Sequence, residues 1–375
     1  MATRGITTRP ASAATGVSQP IIINNLLCIL RGMSFIIFVN NSENCEEKMK
    51  ILVVGGAGYI GSHMVKMLDS RDYEVTTLDN LSAGYRDAVT AGEFVLGDLS
   101  DKDMLDELFE TSGFDAVMHF ASHIQVGESI SHPSMYYHNN VSNTLNLLDA
   151  MLRHEVKHFV FSSTAAIFGE PEYIPIDEKH GKNPINPYGR SKLIVEEILG
   201  DYDIAYGLKS SCLRYFNAAG ADPDGEIGER HDPETHLIPL VLQTASGRRK
   251  SITIFGSDYD TEDGTCIRDY IHVYDLCEAH LLALEALRNK NESCAYNLGN
   301  GNGFSIKEVI DTARKLTGKE IKVQMGERRH GDPARLVADS QRAKTELGWL
   351  PVYSDLESII KHAWQWEQRL MQMNL

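Results

Sequence analysis

Residues 51–61 read Ile51-Leu52-Val53-Val54-Gly55-Gly56-Ala57-Gly58-Tyr59-Ile60-Gly61: four apolar residues running straight into a glycine-rich turn of GxxGxxG spacing. The apolar run has a buried strand's character, and Ser62–Ser70 has a helix's, so the glycines occupy a strand-to-helix turn. Only glycine lets a chain turn so tightly and lets its backbone come so close to a ligand. Such a turn offers main-chain N–H groups and the positive end of a helix dipole, the two things a pyrophosphate needs. Taken alone, the motif also fits a plain strand–helix turn. Asp79, ending the next β-rich run, adds a second signal, because a carboxylate there can accept both hydrogen bonds of an adenine-ribose diol. It would repel a 2′-phosphate, so NAD is expected rather than NADP. A solvated turn aspartate is the alternative reading of Asp79.

Outward from this turn, β-rich runs alternate with helical ones. Strands are expected at Ile51–Val54, Glu74–Leu78, Phe94–Leu96, Ala116–Phe120, His158–Phe161 and Ser211–Tyr215. Helices are expected at Ser62–Ser70, Lys102–Glu110, Val141–His154 and Tyr188–Tyr202. The alternation predicts an α/β fold, a Rossmann-like doubly wound parallel sheet, and the continuously apolar strands predict a sheet covered on both faces. After Asn217 the register loosens: Ala218–Arg230 reads as loop, helices are read at His236–Ser246 and Asp275–Arg288, and the later segments Ser305–Leu316, Ser340–Leu347 and Ser354–Leu370 suggest a smaller mixed domain. The expected organisation is a cofactor domain over 49–228, with a segment near 267–300 returning to it. A smaller mixed α/β substrate domain over 229–375, discontinuous in sequence, completes it.

The chain has 375 residues, 42% hydrophobic, with 36 Lys+Arg against 52 Asp+Glu and a formal charge of −16. That balance excludes a nucleic-acid surface and adhesion to an anionic membrane. The six cysteines show no Cys-x-x-Cys pair and the 14 histidines no His-Glu-x-x-His, so no metal is expected, and a reducing compartment is. Residues 1–48 differ from the rest: Met1–Ser42 lacks acid, and the apolar stretch Ile21–Val39 is broken by Asn24, Asn25, Arg31 and Gly32. No spanning helix or secretory signal is read there. A transit peptide fits the composition, but the extension reads better as a disordered or dispensable tail, and the location as cytoplasmic.

Chemistry enters with Tyr188-Gly189-Arg190-Ser191-Lys192, which sets a phenol and an ammonium one helical turn apart on one face. Pro187 suits the first helical position. A free phenol titrates near pH ~10, too high for a base at neutrality; a lysine beside it can lower that value. Thr164, ending the fifth strand, can share a proton with Tyr188 and a substrate oxygen. Asp98 closes the third strand where it can meet an adenine amino group, and His119-Phe120-Ala121 closes the fourth over the ligand crevice.

In this order, Gly55–Gly61, Leu78-Asp79-Asn80, His119-Phe120-Ala121, Phe161–Thr164, Tyr188–Lys192, Leu213–Asn217, Arg268-Asp269-Tyr270 and Arg328-Arg329-His330-Gly331-Asp332 resemble the extended short-chain dehydrogenase/reductases. Within them the resemblance is to the UDP-glucose (UDP-galactose) 4-epimerases, from Met49 to about Gln365. It implies that Tyr188, as phenolate, takes the sugar O4 proton while hydrogen at C4 passes to NAD and returns to the other face of a transient 4-keto sugar. It implies NAD contacts at Gly55, Gly58, Tyr59, Ile60, Gly61, Asp79, Asn80, Asp98, Leu99, Phe120, Ala121, Asn139, Lys192 and Phe216. It implies UDP-sugar contacts at Thr164, Tyr188, Asn217, His236, Leu237, Phe255, Arg268, Arg329, Asp332 and Leu336. A homodimer packing Val141–His154 and Tyr188–Tyr202 is also implied.

Several positions depart from the family pattern. Thr164 replaces a serine, Ile124 a lysine and His236 an asparagine. Leu336 lies where a tyrosine marks strict UDP-glucose enzymes and a smaller residue marks those accepting N-acetylated sugars. The rival reading is therefore a 4-epimerase for UDP-N-acetylhexosamines or a UDP-pentose. A dehydratase would need acid/base carboxyls just after Thr164, where Ala165 and Ala166 stand.

Overall fold

The computed structural model describes residues 48–328 and 332–373. The expectations for residues 1–47 and for Arg329 lie outside the described residues. Strands β1 (Lys50–Val54), β2 (Glu74–Asp79), β3 (Glu93–Leu96), β4 (Ala116–His119), β5 (His158–Ser162) and β6 (Lys209–Tyr215) join the strand Cys294–Leu298 in one seven-stranded sheet. Its order is Cys294–Leu298, β6, β5, β4, β1, β2, β3, and all pairings are parallel. The chain winds outward from β1 in one direction through β2 and β3 and in the other through β4, β5 and β6. The crevice at the carboxyl ends of β1 and β4 is thus the switch point, where such sheets bind ligands.

Alternate side chains of each strand feed two apolar layers. Ile51, Val53, Met118 and Val160 pack with Met64, Val65 and Leu68, while Leu52, Val54, Val117 and Phe159 pack with Leu105, Leu147 and Val195. The helix Val273–Lys290 lies in the first layer through Leu276, Leu281, Leu284 and Leu287. A third core gathers Ile238, Val241, Ile254, Ile310, Ile359 and Ile360 from the C-terminal part of the chain. Three helices, Leu237–Ser246, Ile306–Thr317 and Leu356–Gln372, and the parallel pair Ile252–Phe255 with Val323–Gly326 supply it.

Boundaries shift where side chains give weak signals. The first helix, α1, spans Tyr59–Ser70 and so starts inside the glycine motif, three residues before the expected Ser62. The helix expected at Tyr188–Tyr202 runs Pro187–Tyr206 and stops at Gly207, whose φ of 69° is left-handed. Val141–His154 divides into a wide-turn segment His138–Ser142 and the regular helix Asn143–Arg153. Within the expected loop Ala218–Arg230, the strand Asn217–Ala219 extends to Ala219 and pairs with Tyr270–His272.

Candidate active site

The glycine turn closes against the sheet. Gly55 has φ 80°, and a Cβ there would lie 2.5 Å from the Ala121 nitrogen; a Cβ on Gly61 would lie 2.1 Å from the Gly55 carbonyl oxygen. Gly58 differs, since its Cβ would meet only the Gly55 oxygen, at 3.4 Å. The space in front of it is open, and α1 begins there without a side-chain cap. That open cradle, with uncapped N–H groups and the helix dipole behind it, fits a dinucleotide pyrophosphate. Phe120 and Ala121 both donate their backbone N–H to Val54, at 2.8 and 3.1 Å, which lays the end of β4 beside the turn.

Asp79 is buried and braces this turn. Its carboxylate accepts from the N–H of Ala57 at 2.9 Å and of Leu81 at 2.8 Å, and burial raises its pKa. Each oxygen keeps lone pairs for further donors. Asn80 donates to Asp98 at 2.6 Å, and Asp98 also accepts from the Ser100 N–H; these hydrogen bonds, Ser100's first, hold its carboxyl below the usual range. Leu99 is buried in the core beneath, and Ile60 packs against the α1 layer. Tyr59 donates its hydroxyl to the Gly220 carbonyl at 2.8 Å.

The second half of the crevice is built by the Pro187–Tyr206 helix. Asn186 caps it by accepting from the Gly189 N–H at 2.8 Å, and Pro187 fills its first position. A Cβ on Gly189 would stand 2.4 Å from the Ala166 oxygen, so glycine lets this first turn press on the segment after β5. The pressure brings Tyr188 to Thr164. Tyr188 is 9% exposed; burial raises its pKa and the Thr164 hydroxyl lowers it. Thr164 itself caps the short turn Ala165–Ile167, which carries no carboxyl.

Lys192 lies one turn on, 3% exposed, and donates to the Ser162 carbonyl at 2.8 Å with its ammonium 4.8 Å over the Phe161 ring. Burial depresses its pKa to about 7, against an upward pull from Glu196. The expectation that Lys192 lowers the phenol of Tyr188 is thus not what this geometry displays. Its nitrogen is turned to a main-chain oxygen, and the groups acting on Tyr188 are its burial and Thr164.

Residues that the sequence reading passed over complete the support. Glu196, a further turn along the same face, accepts from Ser163 at 2.7 Å and forms a buried pair with Arg214 of β6, also at 2.7 Å. Asn140 is buried, donates to Ser191 and to the His123 carbonyl, and accepts from the His123 N–H. The i, i+4 step from Lys192 to Glu196 was a usable signal; nothing local marked Asn140.

The expected substrate residues, with the expected cofactor contacts Asn139 and Phe216, fall into four groups. Asn217 donates to the Asp269 carbonyl at 2.9 Å, and Arg268 forms an ion pair with Asp332, so two expected ligand contacts face each other. Leu336 and Phe216 pack against the cluster of Ile167, Phe168 and Ile176, the first two of which lie in the segment after Thr164. Asn139 donates to Asn140 at 3.0 Å, and Phe255 is 37% exposed at the end of its strand. His236 precedes and Leu237 begins the Leu237–Ser246 helix, and the His236 Nδ1 lies 2.7 Å from Glu229 although the side chain is 44% exposed.

Compared with known proteins, residues 51–299 match the NAD dependent epimerase/dehydratase family. The chain belongs to this family. Among its members, the UDP-glucose 4-epimerase of Halalkalibacterium halodurans is 54% identical over 320 residues, 85% of this chain and 96% of that one. The crystal structure of UDP-glucose 4-epimerase from Brucella ovis in complex with NAD is 51% identical with a TM-score of 0.83, covering 84% of this chain and 97% of that one. The UDP-Glc/GlcNAc 4-epimerase from Campylobacter jejuni is 47% identical with a TM-score of 0.76, covering 86% and 99%. An epimerase/dehydratase fold with alanines after Thr164 lacks a dehydratase's acid/base pair at that place.

Proposed function

We propose that the protein is an NAD-dependent UDP-glucose 4-epimerase that interconverts UDP-galactose and UDP-glucose. One observation carries the reading: a buried Tyr188 beside Thr164, with Lys192 one turn on, at the carboxyl end of β5 and facing the same crevice as the open glycine cradle. Half-identical relatives over nearly their whole length support it. NAD, when bound, supplies a ring that takes up and gives back one hydrogen with its electron pair. Tyr188 takes the proton from the sugar O4 and later returns it, and Thr164 holds that oxygen in both orientations of the ring. Lys192 anchors the cofactor's ribose, and Asp79 the adenosine ribose. Arg268 and Arg329 bind the diphosphate, and Asp332 the uridine ribose, once the Arg268–Asp332 pair opens toward the ligand. Guanidinium forks match phosphate oxygens.

The test is conversion of UDP-galactose to UDP-glucose by purified protein without added NAD. Deuterium placed at C4 should remain on the sugar; its loss to water would overturn the reading. Leu336, packed with Ile167 and Phe168 of the segment that follows Thr164, supports a second activity on N-acetylated sugars, which the dual name of the Campylobacter relative parallels. Turnover of UDP-N-acetylglucosamine comparable to UDP-glucose is expected, and no turnover at saturation would discard it. The proposal extends to a homodimer packed through the Asn143–Arg153 and Pro187–Tyr206 helices and to a cytoplasmic location. Among the described residues no helix is long and apolar enough to cross a membrane.

A further inference from the structure

Between the bridge at Gly228 and the helix Leu237–Ser246, the chain reads Glu229-Arg230-His231-Asp232-Pro233-Glu234-Thr235-His236. Four of these eight side chains converge, Glu229 and Glu234 almost wholly buried and His236 44% exposed. One donor atom from each of Glu229, His231, Glu234 and His236 lies within 4.8 Å of the other three. His231 Nδ1 is 3.4 Å from Glu229 Oε1 and 3.5 Å from Glu234 Oε2; His236 Nδ1 is 2.7 Å from Glu229 Oε1 and 3.5 Å from Glu234 Oε1. Ligands at the usual Zn–N and Zn–O lengths of about 2.0–2.2 Å stand about 3.3–3.6 Å apart at the corners of a tetrahedron. With Oε2 as the Glu234 donor, the separations of His231 from Glu229 and from Glu234 fall in that range, and that of His236 from Glu229 is shorter.

A knot of ion pairs between protonated histidines and carboxylates is the competing explanation, and the ring orientations speak against it. Glu229 Oε1, His231 Nδ1 and His236 Nδ1 are buried, and none makes an aligned hydrogen bond. Three buried polar atoms gathered at one point without aligned partners call for a shared partner, and a cation supplies one. The surroundings hold the donors in place as outer groups of a metal site do. Glu234 Oε1 accepts from the N–H of Thr235 at 2.7 Å and of His236 at 2.8 Å, which aims Oε2 at His231. Trp366 donates its indole N–H to the Glu229 carbonyl at 2.9 Å. Arg230, between two ligands in sequence, is drawn outward to Asp87 and stacks on Tyr85.

We propose that Glu229, His231, Glu234 and His236 form a closed four-ligand site for a divalent transition metal of the zinc class. Two imidazoles and two carboxylates suit such an ion, and four protein ligands leave no open position for a substrate or an activated water, so its role is structural. The ion would tie residues 229–236 together beside Tyr59, whose ring meets His231 edge-on at 6.3 Å, and so fix where the Leu237–Ser246 helix begins. The expectation of no metal, built on His-Glu-x-x-His and Cys-x-x-Cys spacings, does not cover this Glu-x-His-x-x-Glu-x-His pattern.

The experiment needs no enzyme assay. Full-length protein freed of any histidine tag is incubated with zinc, desalted and analysed by elemental mass spectrometry, and the cobalt(II) form is examined by visible absorption. About one metal per chain is expected for the wild type, and below about a tenth for His231→Ala and His231→Gln. The cobalt form should show intense four-coordinate bands without a sulfur charge-transfer band. Wild-type protein that retains no metal, variants that retain as much as wild type, or a six-coordinate or sulfur-ligated cobalt spectrum would each overturn the site. If both variants fail to fold, the wild-type stoichiometry and cobalt spectrum decide.

Discussion

At Tyr188 and Lys192 one cause acts in opposite directions. Burial disfavours the charged form of each, so it raises the phenol and drops the ammonium to about 7. Tyr188→Phe should therefore keep bound NAD, since the ring stays, and lose at least ~10²-fold in rate, the usual worth of a positioned acid/base group. Cofactor absorbance and the epimerisation rate check both halves, and an undiminished rate refutes the role. For Lys192 the prediction concerns stability without cofactor. Its folded pKa lies below the unfolded value, so from pH 7 upward to about 10 the unfolded chain holds the extra proton and stability rises with pH. Lys192→Met removes this dependence and should stabilise the cofactor-free protein more at pH 7 than at pH 9, by about 2 kcal/mol in denaturant unfolding. The spacing of these two residues was legible in the sequence because a helix fixes it. The partner of the ammonium was not, because Ser162 lies 30 residues away in another element.

Elements were most legible where burial is two-sided. β1, β4 and β5 are buried along almost their whole length and read as apolar runs, whereas the edge strand β3 leaves Leu96 66% exposed. The start of α1 was misplaced because Tyr59, Ile60 and Gly61 carry no helical pattern; the sheet, not propensity, sets that turn. Joining elements across the sheet is likewise invisible to local pattern, and Glu196–Arg214 is the case in point. The pair ties the Pro187–Tyr206 helix to β6, both side chains being 5% exposed. Glu196→Gln leaves Arg214 charged and buried without its counter-ion, so a loss of about 3–5 kcal/mol is expected in urea unfolding. A loss below about 1 kcal/mol would mean that the pair contributes no more than a surface bridge. Gly61→Ala tests the other end of the crevice: the new methyl meets the Gly55 oxygen at 2.1 Å, so the protein should purify with little NAD. Full cofactor occupancy would show that the turn can yield.

Over the whole molecule, composition was silent on how the buried charge is arranged, and histidine shows why that matters. His63, His119, His272 and His280 are all 5% exposed or less, and burial lowers their pKa values to about 4, 3, 3 and 4. His272 Nε2 stands 3.0 Å from His362 Nδ1, which leaves room for one proton between two rings. In the unfolded chain each histidine takes up its proton near pH ~6.5. From there down to about pH 4 the unfolded state therefore binds more protons than the folded one, and stability falls as the solution is acidified. Asp275, raised to about 6 by burial, works against this by one proton over part of the range. Three net protons give a slope on the order of 4 kcal/mol per pH unit near pH 5. Against a total stability of about 5–15 kcal/mol that is a large fraction for each pH unit. Urea midpoints measured from pH 7 to pH 5 should drop steeply, and His280→Gln should make the slope shallower by about one proton. A flat profile would mean that these rings already share their protons with the folded state.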